Sequence, residues 1–401
     1  MMKYECLVLE RRRERRTPEW PGSRLIKFEE GNVHRKYFVR SALSRVGFCA
    51  AAASVAIIAS AAYAFAETPA FMNKGADIAA ICGTKPTRVA LVDGYGGDTW
   101  RKITRAELED EASKCKNVSV VKYSNAGGDQ QKYNGDINSF VSQGVDVVLA
   151  FTDFGPAPMP AYRKALQAGV TVVPYFSNIG GQPDKDFSAN VYQDQAYVGG
   201  LWADWLGKTL KDGNVVLLGG TAGSASSQLF MNGFKEGLKK YPSLKLLDEN
   251  YIVTNWNPAD AQKAVTGLIA KYPKIDGIAS DYGVTTLAAI KAFEQAGLPI
   301  PAQATLASNN DINCKYLAAK KDGKPWKYLT LDGTTATVRF AFRRAMAIFQ
   351  GTKDDEPKAV IPYVYGDSQS GVDPKCDPNA PPDADLSSLL PQAKLKALFS
   401  K

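Results

Sequence analysis

RVALVDGYGGDTWRKITRAELEDEA, residues 88–112, is the stretch on which the reading of the chain turns. An apolar strand, Val89–Val92, runs into a turn rich in Gly and Asp that carries Trp100, and the turn leads into a charged, helix-prone segment. Backbone amides, a carboxylate and aromatic rings thus meet at the carboxyl end of a strand, which is where open α/β sheets bind ligands. The glycines invite a dinucleotide reading, but G-x-G-x-x-G is absent, and Asp98 and Trp100 oppose and obstruct a pyrophosphate.

Outward from this stretch, strand-like and helix-like segments alternate. Helix Thr104–Lys114, strand Val118–Tyr123, helix Gln130–Gln143, strand Val145–Phe151, helix Ala161–Gln167 and strand Val170–Tyr175 follow in order. A second series begins after Asn190: helix Ala196–Leu210, strand Asn214–Leu218, helix Gln228–Tyr241, strand Lys245–Val253 and helix Pro258–Tyr272. It continues with strand Gly277–Ser280, helix Thr285–Gln295 and strand Ala304–Ala307. Short apolar runs ended by Gly or Asp and separated by helices predict parallel, doubly wound sheets, here two α/β lobes around a cleft. Segment Trp326–Leu331 precedes a helix at Thr334–Phe349 with Val338, Phe342, Ala345, Ile348 and Phe349 on one face. Arg339, Arg343 and Arg344 take the other face, read as solvated. Trp202 and Trp205 are read as packing. Gly371–Pro382 reads as a wrapped loop.

The 401 residues, 45% hydrophobic and 22% charged, suit a globular protein of two domains. The net charge of +8 suggests a nucleic-acid partner until its distribution is considered. Residues 1–66 hold 12 Lys and Arg against 6 Asp and Glu, leaving 37 of the 49 basic and 35 of the 41 acidic residues beyond, a net of +2. Phosphate-backbone binding loses its electrostatic argument, and no nucleic-acid partner is expected.

Basic residues from His34 to Arg45, an apolar Ala-rich run from Val46 to Tyr63 and the small-residue exit Ala64-Phe65-Ala66 predict an export signal over residues 33–66, cleaved after Ala66. An uncleaved membrane anchor is the alternative. Residues 1–32, highly charged and in front of that signal, read as a mis-assigned leader. The mature chain would then lie in the periplasm. Four cysteines follow the signal, and an oxidising compartment predicts the pairs Cys82–Cys115, at the two ends of a strand and its returning helix, and Cys314–Cys376. Unpaired buried thiols are the alternative. The only histidine, His34, lies in the signal, which excludes His-based acid–base catalysis, His-activated nucleophiles and His-ligated zinc from the mature chain. The Gly-rich loop Leu218–Ser224 lacks the lysine of a phosphate-binding loop, and Ser224, Ser226 and Ser227 have no histidine as base. No cofactor and no metal is expected.

Thr254-Asn255-Trp256-Asn257-Pro258-Ala259-Asp260-Ala261, then Tyr272-Pro273, Ile275-Asp276-Gly277-Ile278 and Ala288-Ala289-Ile290-Lys291-Ala292, resemble the second lobe of type I periplasmic sugar-binding proteins. Those are the solute receptors of ABC importers for ribose, galactose and polyols. The 88–100 turn resembles their first-lobe binding loop, and Leu217–Phe234 their G-x-x-G-x-(5–7)-G-F stretch. The resemblance covers about residues 85–360 and rests on the order of the motifs. It implies two Rossmann-like lobes joined by a three-strand hinge, with crossings near Asn190, Asp332 and Gly351–Lys358. The first lobe would span 67–190 with 333–358, the second 191–332 with 359–401.

Carried over residue by residue, the resemblance places Tyr95, Asp98, Trp100 and Arg101 in or beside the first-lobe pocket. Thr152 and Asp153 would end the third strand, and Phe176, Ser177 and Asn178 the fourth. Gln228, Trp256, Asp281, Tyr282 and Asn309 would come from the second lobe, with Asp332 at the hinge. Carboxylates and amides grip hydroxyls while flat rings cover C–H faces, so a small neutral sugar or polyol and a membrane permease are the partners implied, with the chain a monomer and no catalysis. Asp98 and Asp281 as helix caps, and Trp100, Trp256 and Tyr282 as core or rim aromatics, are the structural alternatives. An exported carbohydrate-acting enzyme and a ligand-presenting sensor for a chemoreceptor are the functional ones. The chain departs from ribose-type members where they carry an acidic residue and Arg (here Phe176-Ser177-Asn178), Arg (here Gln228) and Asn-Asp (here Asp281-Tyr282), so the ligand is not fixed as ribose or galactose.

Overall fold

The computed structural model describes residues 64–65, 78–353 and 355–400. The leader and the export signal lie outside these residues except for Ala64–Phe65, a two-residue strand, β1.

Two sheets organise the rest. The first is wholly parallel and runs β13-β6-β5-β4-β2-β3, with β2 Thr87–Asp93, β3 Val118–Asn125, β4 Val147–Phe151, β5 Thr171–Phe176, β6 Val191–Gln193 and β13 Ala359–Val360. The second runs β1-β15-β14-β12-β11-β10-β7-β8 with β9 also on β7. Its strands are β7 Gly213–Gly219, β8 Leu244–Leu246, β9 Ile252–Val253, β10 Gly277–Ser280, β11 Ala302–Leu306, β12 Tyr328–Asp332, β14 Tyr363–Asp367 and β15 Val372–Asp373. Strand order reverses between β2 and β4 in one sheet and between β7 and β10 in the other, so each lobe has a topological switch point opening a crevice at its carboxyl edge. These are two doubly wound, Rossmann-like lobes. The chain changes sheet after Gln193, Asp332 and Val360, because Val191–Gln193 and Ala359–Val360 pair within the first sheet.

Apolar strands drive both cores. Val89, Leu91, Val147, Leu149 and Val173 pack under Phe340, Phe342, Ala345 and Met346 of helix Thr337–Gln350, while Val216, Leu218 and Ile278 face Val265, Leu268 and Phe293 in the second lobe. Helices Gln195–Leu210 and Ala225–Leu238 cross at glycines: a side chain at Gly199 would strike the Phe230 carbonyl, and one at Gly233 the Ala196 carbonyl. Trp202 is fully buried and Trp205 donates to Asp367 (2.9 Å), so both pack as expected. Cys82–Cys115 and Cys314–Cys376 are disulfides with Cα separations of 5.3 and 5.0 Å.

Several local expectations give way. Arg339 and Arg343 are each only 2% exposed, against the reading of a solvated face. Arg339 pairs with Glu107, with Asp110 (2.7 Å) and with Glu111 (2.5 Å); Arg343 pairs with Glu111 (2.6 Å) and Glu356 (3.0 Å). The polar stripe of one helix therefore faces the acidic stripe of another, which the period of a single helix does not reveal. The segment read as strand Lys245–Val253 is two short strands, β8 and β9. The first helix starts at Thr99, five residues earlier than read, because the Asp98 carboxylate caps it through the Arg101 N–H (2.8 Å). Helix Asn310–Lys321, not anticipated, is capped by Asn309.

The tail beyond Asp373 touches both lobes. Cys376 and the Ala384 and Pro382 carbonyls hold it to helix Asn310–Lys321. Leu390 and Leu395 pack on Ile103 of helix Thr99–Ala112, while Ser388 (2.6 Å) and the Leu389 N–H (2.8 Å) donate to Glu107 and Lys394 pairs with Asp110 (2.6 Å).

Candidate functional site

The two switch points face one another across a cleft lined by thirteen residues and enclosing about 510 Å³ of empty space, part of it open to solvent. Asp98, Trp100, Arg101, Phe151 and Phe176 come from the first lobe, Thr334 from the second crossover, and Ser226, Phe230, Trp256, Asp281, Tyr282, Leu306 and Ala307 from the second lobe.

The first-lobe wall is built on Asp153 at the end of β4. Its carboxylate accepts the Gly94 (2.8 Å) and Tyr95 (3.2 Å) N–H groups, fixing the turn after β2, and binds the Arg101 guanidinium at 2.7 Å. Asp93 takes the same guanidinium at 3.1 Å, and the cation lies 3.3 Å from the centre of the Phe151 ring. Burial pushes Asp93 up to about 6 despite Arg101. Burial also works against the Arg101 charge, yet Asp153, Asp93 and Asp98 together hold its pKa above the ordinary value, so the cation is already committed within the protein. Trp100 stands edge-on to Phe151 and Phe176 and donates its ring N–H to Thr334 (2.8 Å). It packs against the cores of both lobes.

Across the cleft, Asp281 accepts from Ser227 (2.7 Å) and from the Trp256 ring N–H (3.1 Å). Among the described residues no cation faces this carboxylate, and burial raises its pKa to about 7. Burial raises Asp98 as well. Trp256 lies against Gly220, where any side chain would run into the indole, so the second Gly-rich loop makes room for an aromatic wall. The Tyr95 ring of the first lobe and the Trp256 ring of the second approach to 6.3 Å.

Backbone strain gathers here. Of six non-glycine residues with positive φ among the described residues, three line the cleft: Phe176 (91°), Trp256 (50°) and Ala307 (51°), each at or just beyond a strand's carboxyl end. Bulky residues occupy that region only where the surroundings enforce it, and such positions cluster at binding sites.

Seven of the residues singled out from sequence meet at the cleft: Asp98, Trp100, Arg101, Phe176, Trp256, Asp281 and Tyr282. Asp98 is both helix cap and lining residue. Tyr95 packs against Trp256 without lining the cleft itself, and Asp153 acts through Arg101. Thr152 and Ser177 are buried behind the wall, bonded to each other and to the backbone or Gln195. Asp332 is buried at the crossover, accepting from Ser308 and Thr330, and Asn309 caps its helix. Asn178 is exposed and accepts from Gly180, and Gln228 is exposed and bonds Asn232. These two do not line the cleft. Six lining residues were not singled out: Phe151, Ser226, Phe230, Leu306, Ala307 and Thr334. Phe151, Leu306 and Ala307 had a usable signal in their place at strand ends. Among the described residues no group of three or more His, Cys, Asp or Glu is placed to hold a metal.

Paired α/β lobes with a cleft at both switch points define a two-lobed binding protein. Residues 89–352 match the family described as periplasmic binding protein domain, and the chain belongs to it. It is 27% identical over 232 residues, 56% of this chain and 63% of the relative, to the xylitol-binding protein of Mycolicibacterium smegmatis. It is 28% identical over 177 residues, 43% of this chain and 52% of the relative, to the D-xylose-binding periplasmic protein of Escherichia coli. The match thus spans less than two thirds of either relative. The structure of the Caulobacter myo-inositol binding protein bound to myo-inositol shares the fold, with a TM-score of 0.61 at 24% identity over 72% of this chain and 95% of that one.

Proposed function

We propose that this protein is a periplasmic solute receptor that binds a small sugar or polyol in the interlobe cleft and delivers it to the permease of an ABC importer. The carrying observation is the cleft itself: two carboxylates on opposite walls, Asp98 and Asp281, among six aromatic rings at paired switch points. Carboxylates accept hydrogen bonds from hydroxyls and the rings cover C–H faces, so the lining suits capture without turnover. The relatives' names, xylitol and D-xylose binders, support the ligand class.

Asp98, Trp100, Arg101, Phe176, Trp256, Asp281 and Tyr282 are assigned to ligand contact, with Asp153 orienting Arg101 and Tyr95 backing Trp256. Closure bends the chain at the three sheet crossovers, and the exported chain acts as a monomer. Thermal-shift screening against pentoses, hexoses, furanoses and alditols tests the reading, since a ligand of the folded state raises the melting temperature with its excess. A flat response across all four groups would rule out the ligand class.

A further inference from the structure

The charges around the cleft do not balance. Among the described residues that line it, Arg101 is the only cation, and three carboxylates already draw on it: Asp153 at 2.7 Å, Asp93 at 3.1 Å and, through its field, Asp98. Asp281 in the second lobe makes a fourth. Its two side-chain partners, the Ser227 hydroxyl and the Trp256 ring N–H, are neutral, and burial keeps its proton on up to about pH 7. Beside it in the chain, the Tyr282 phenol lies in the field of Asp98, Asp383 and Asp385, all acidic. Once ionised, four carboxylates face one guanidinium, in a cleft whose six lining rings also attract cations to their faces.

We infer that the solute is a cation, an amino sugar or amino polyol whose ammonium group seats at Asp281 while Asp98, Ser226 and Thr334 meet its hydroxyls. The inference rests on the sugar-receptor reading and departs from the neutral ligand that the family resemblance implies. Charge decides between the two. A hydroxyl donates one hydrogen bond to Asp281 and leaves the charge of a buried carboxylate without an opposite, which is the costly case. An ammonium brings three donors together with the opposite charge, and their attraction is stronger in a site screened from water than at a surface. Arg101 does not supply that charge, since Asp93 and Asp153 hold its guanidinium. A metal ion fits less well, because among the described residues no group of three or more His, Cys, Asp or Glu is placed to hold one. Thr334 suits a hydroxyl: it accepts from Trp100 and keeps its own hydrogen to donate.

Calorimetric titration at about pH 7, where an aliphatic amine carries its proton, tests this with matched pairs. The pairs are xylitol against 1-amino-1-deoxyxylitol, D-glucitol against 1-amino-1-deoxy-D-glucitol, D-glucose against D-glucosamine, and D-galactose against D-galactosamine. Within a pair that binds, the amino member should bind tighter by on the order of tenfold. Asp281→Asn removes the charge and keeps the shape, so it should erase that preference while the neutral member loses less. Neutral members binding as tightly as their amino partners, or more tightly, would overturn the inference and leave the receptor reading standing. An amino preference that survives Asp281→Asn would overturn the seat at Asp281. If no member of any pair binds, the receptor reading falls with it.

Discussion

Asp281→Asn should stabilise the ligand-free protein at pH 8 while weakening its hold on solute. The Asp281 carboxyl is raised from 3.8 to about 7 by burial, with Ser227 and Trp256 only partly offsetting the cost of its charge. A carboxyl whose pKa is higher folded than unfolded contributes stability below the unfolded value, and this is lost as pH rises through the folded one. With about 1.4 kcal/mol per unit, the ionised group costs the folded state up to about 4 kcal/mol above pH 7. Opening of the cleft to water lowers that ceiling. Asparagine carries no charge and loses one of the two accepted hydrogen bonds, about 1 kcal/mol, so its net advantage at pH 8 is up to about 3 kcal/mol.

Burial raises Asp93, Asp332 and Asp385 too, so the parent protein's own pH profile mixes several groups. The difference between variant and parent isolates Asp281. Urea unfolding of both at pH 5 and pH 8 should show that difference moving toward the variant by about 3 kcal/mol, from roughly two pH units of titration at about 1.4 kcal/mol each. A pH-independent difference would refute the reasoning, because the carboxyl would then be ionised as easily folded as unfolded.

Arg339→Ala should cost about 3–5 kcal/mol by calorimetry, since it takes the cation from buried Glu107 and leaves Glu111 to Arg343 and Lys114; a change under 1 kcal/mol would mark the pairing as a surface one. Replacing Cys314 and Cys376 by serine opens a cross-link spanning 62 residues, and the chain-entropy model gives a loss of about 4 kcal/mol, read as a lower urea midpoint under non-reducing conditions. Trp100→Ala should abolish solute binding in titration calorimetry while circular dichroism stays unchanged, because the ring is half-buried and most of the core does not depend on it.

The alternation of short apolar runs and helical segments made both lobes legible, because strands buried on two faces read as continuous Val, Leu and Ile. What a single segment does not encode is the partner its polar face meets. Arg339 and Arg343 lie four residues apart, as do Glu107 and Glu111, and each stripe alone is indistinguishable from a solvated one. Together they form the buried contact between helices Thr337–Gln350 and Thr99–Ala112. Helix Asn310–Lys321 escaped for a related reason: its buried side mixes Ile312 and Tyr316 with Asn310 and Asn313, which are bonded to the tail and to Ser308. Gln228 shows the angular limit. It shares a helix with Ser226, but two residues at about 100° each turn it some 200° away, so one lines the cleft and the other faces solvent.

The cleft is also where local preference is overruled. Phe176, Trp256 and Ala307 hold backbone conformations that glycine or asparagine adopts more readily, and each puts a side chain on the cleft wall. A chain selected for stability alone would relieve these positions with glycine, at no steric cost to the turn. Glycine at 176 or 256, however, would remove a ring from the wall, and at 307 a methyl that lines it. The strain of about 1–3 kcal/mol at such a residue is therefore best understood as retained for the wall it builds. Phe176→Gly and Trp256→Gly should then show the two effects separating: turn strain relieved, and solute affinity lost with the ring. Affinity unchanged in both variants would mean that the strained positions serve the fold and not the ligand.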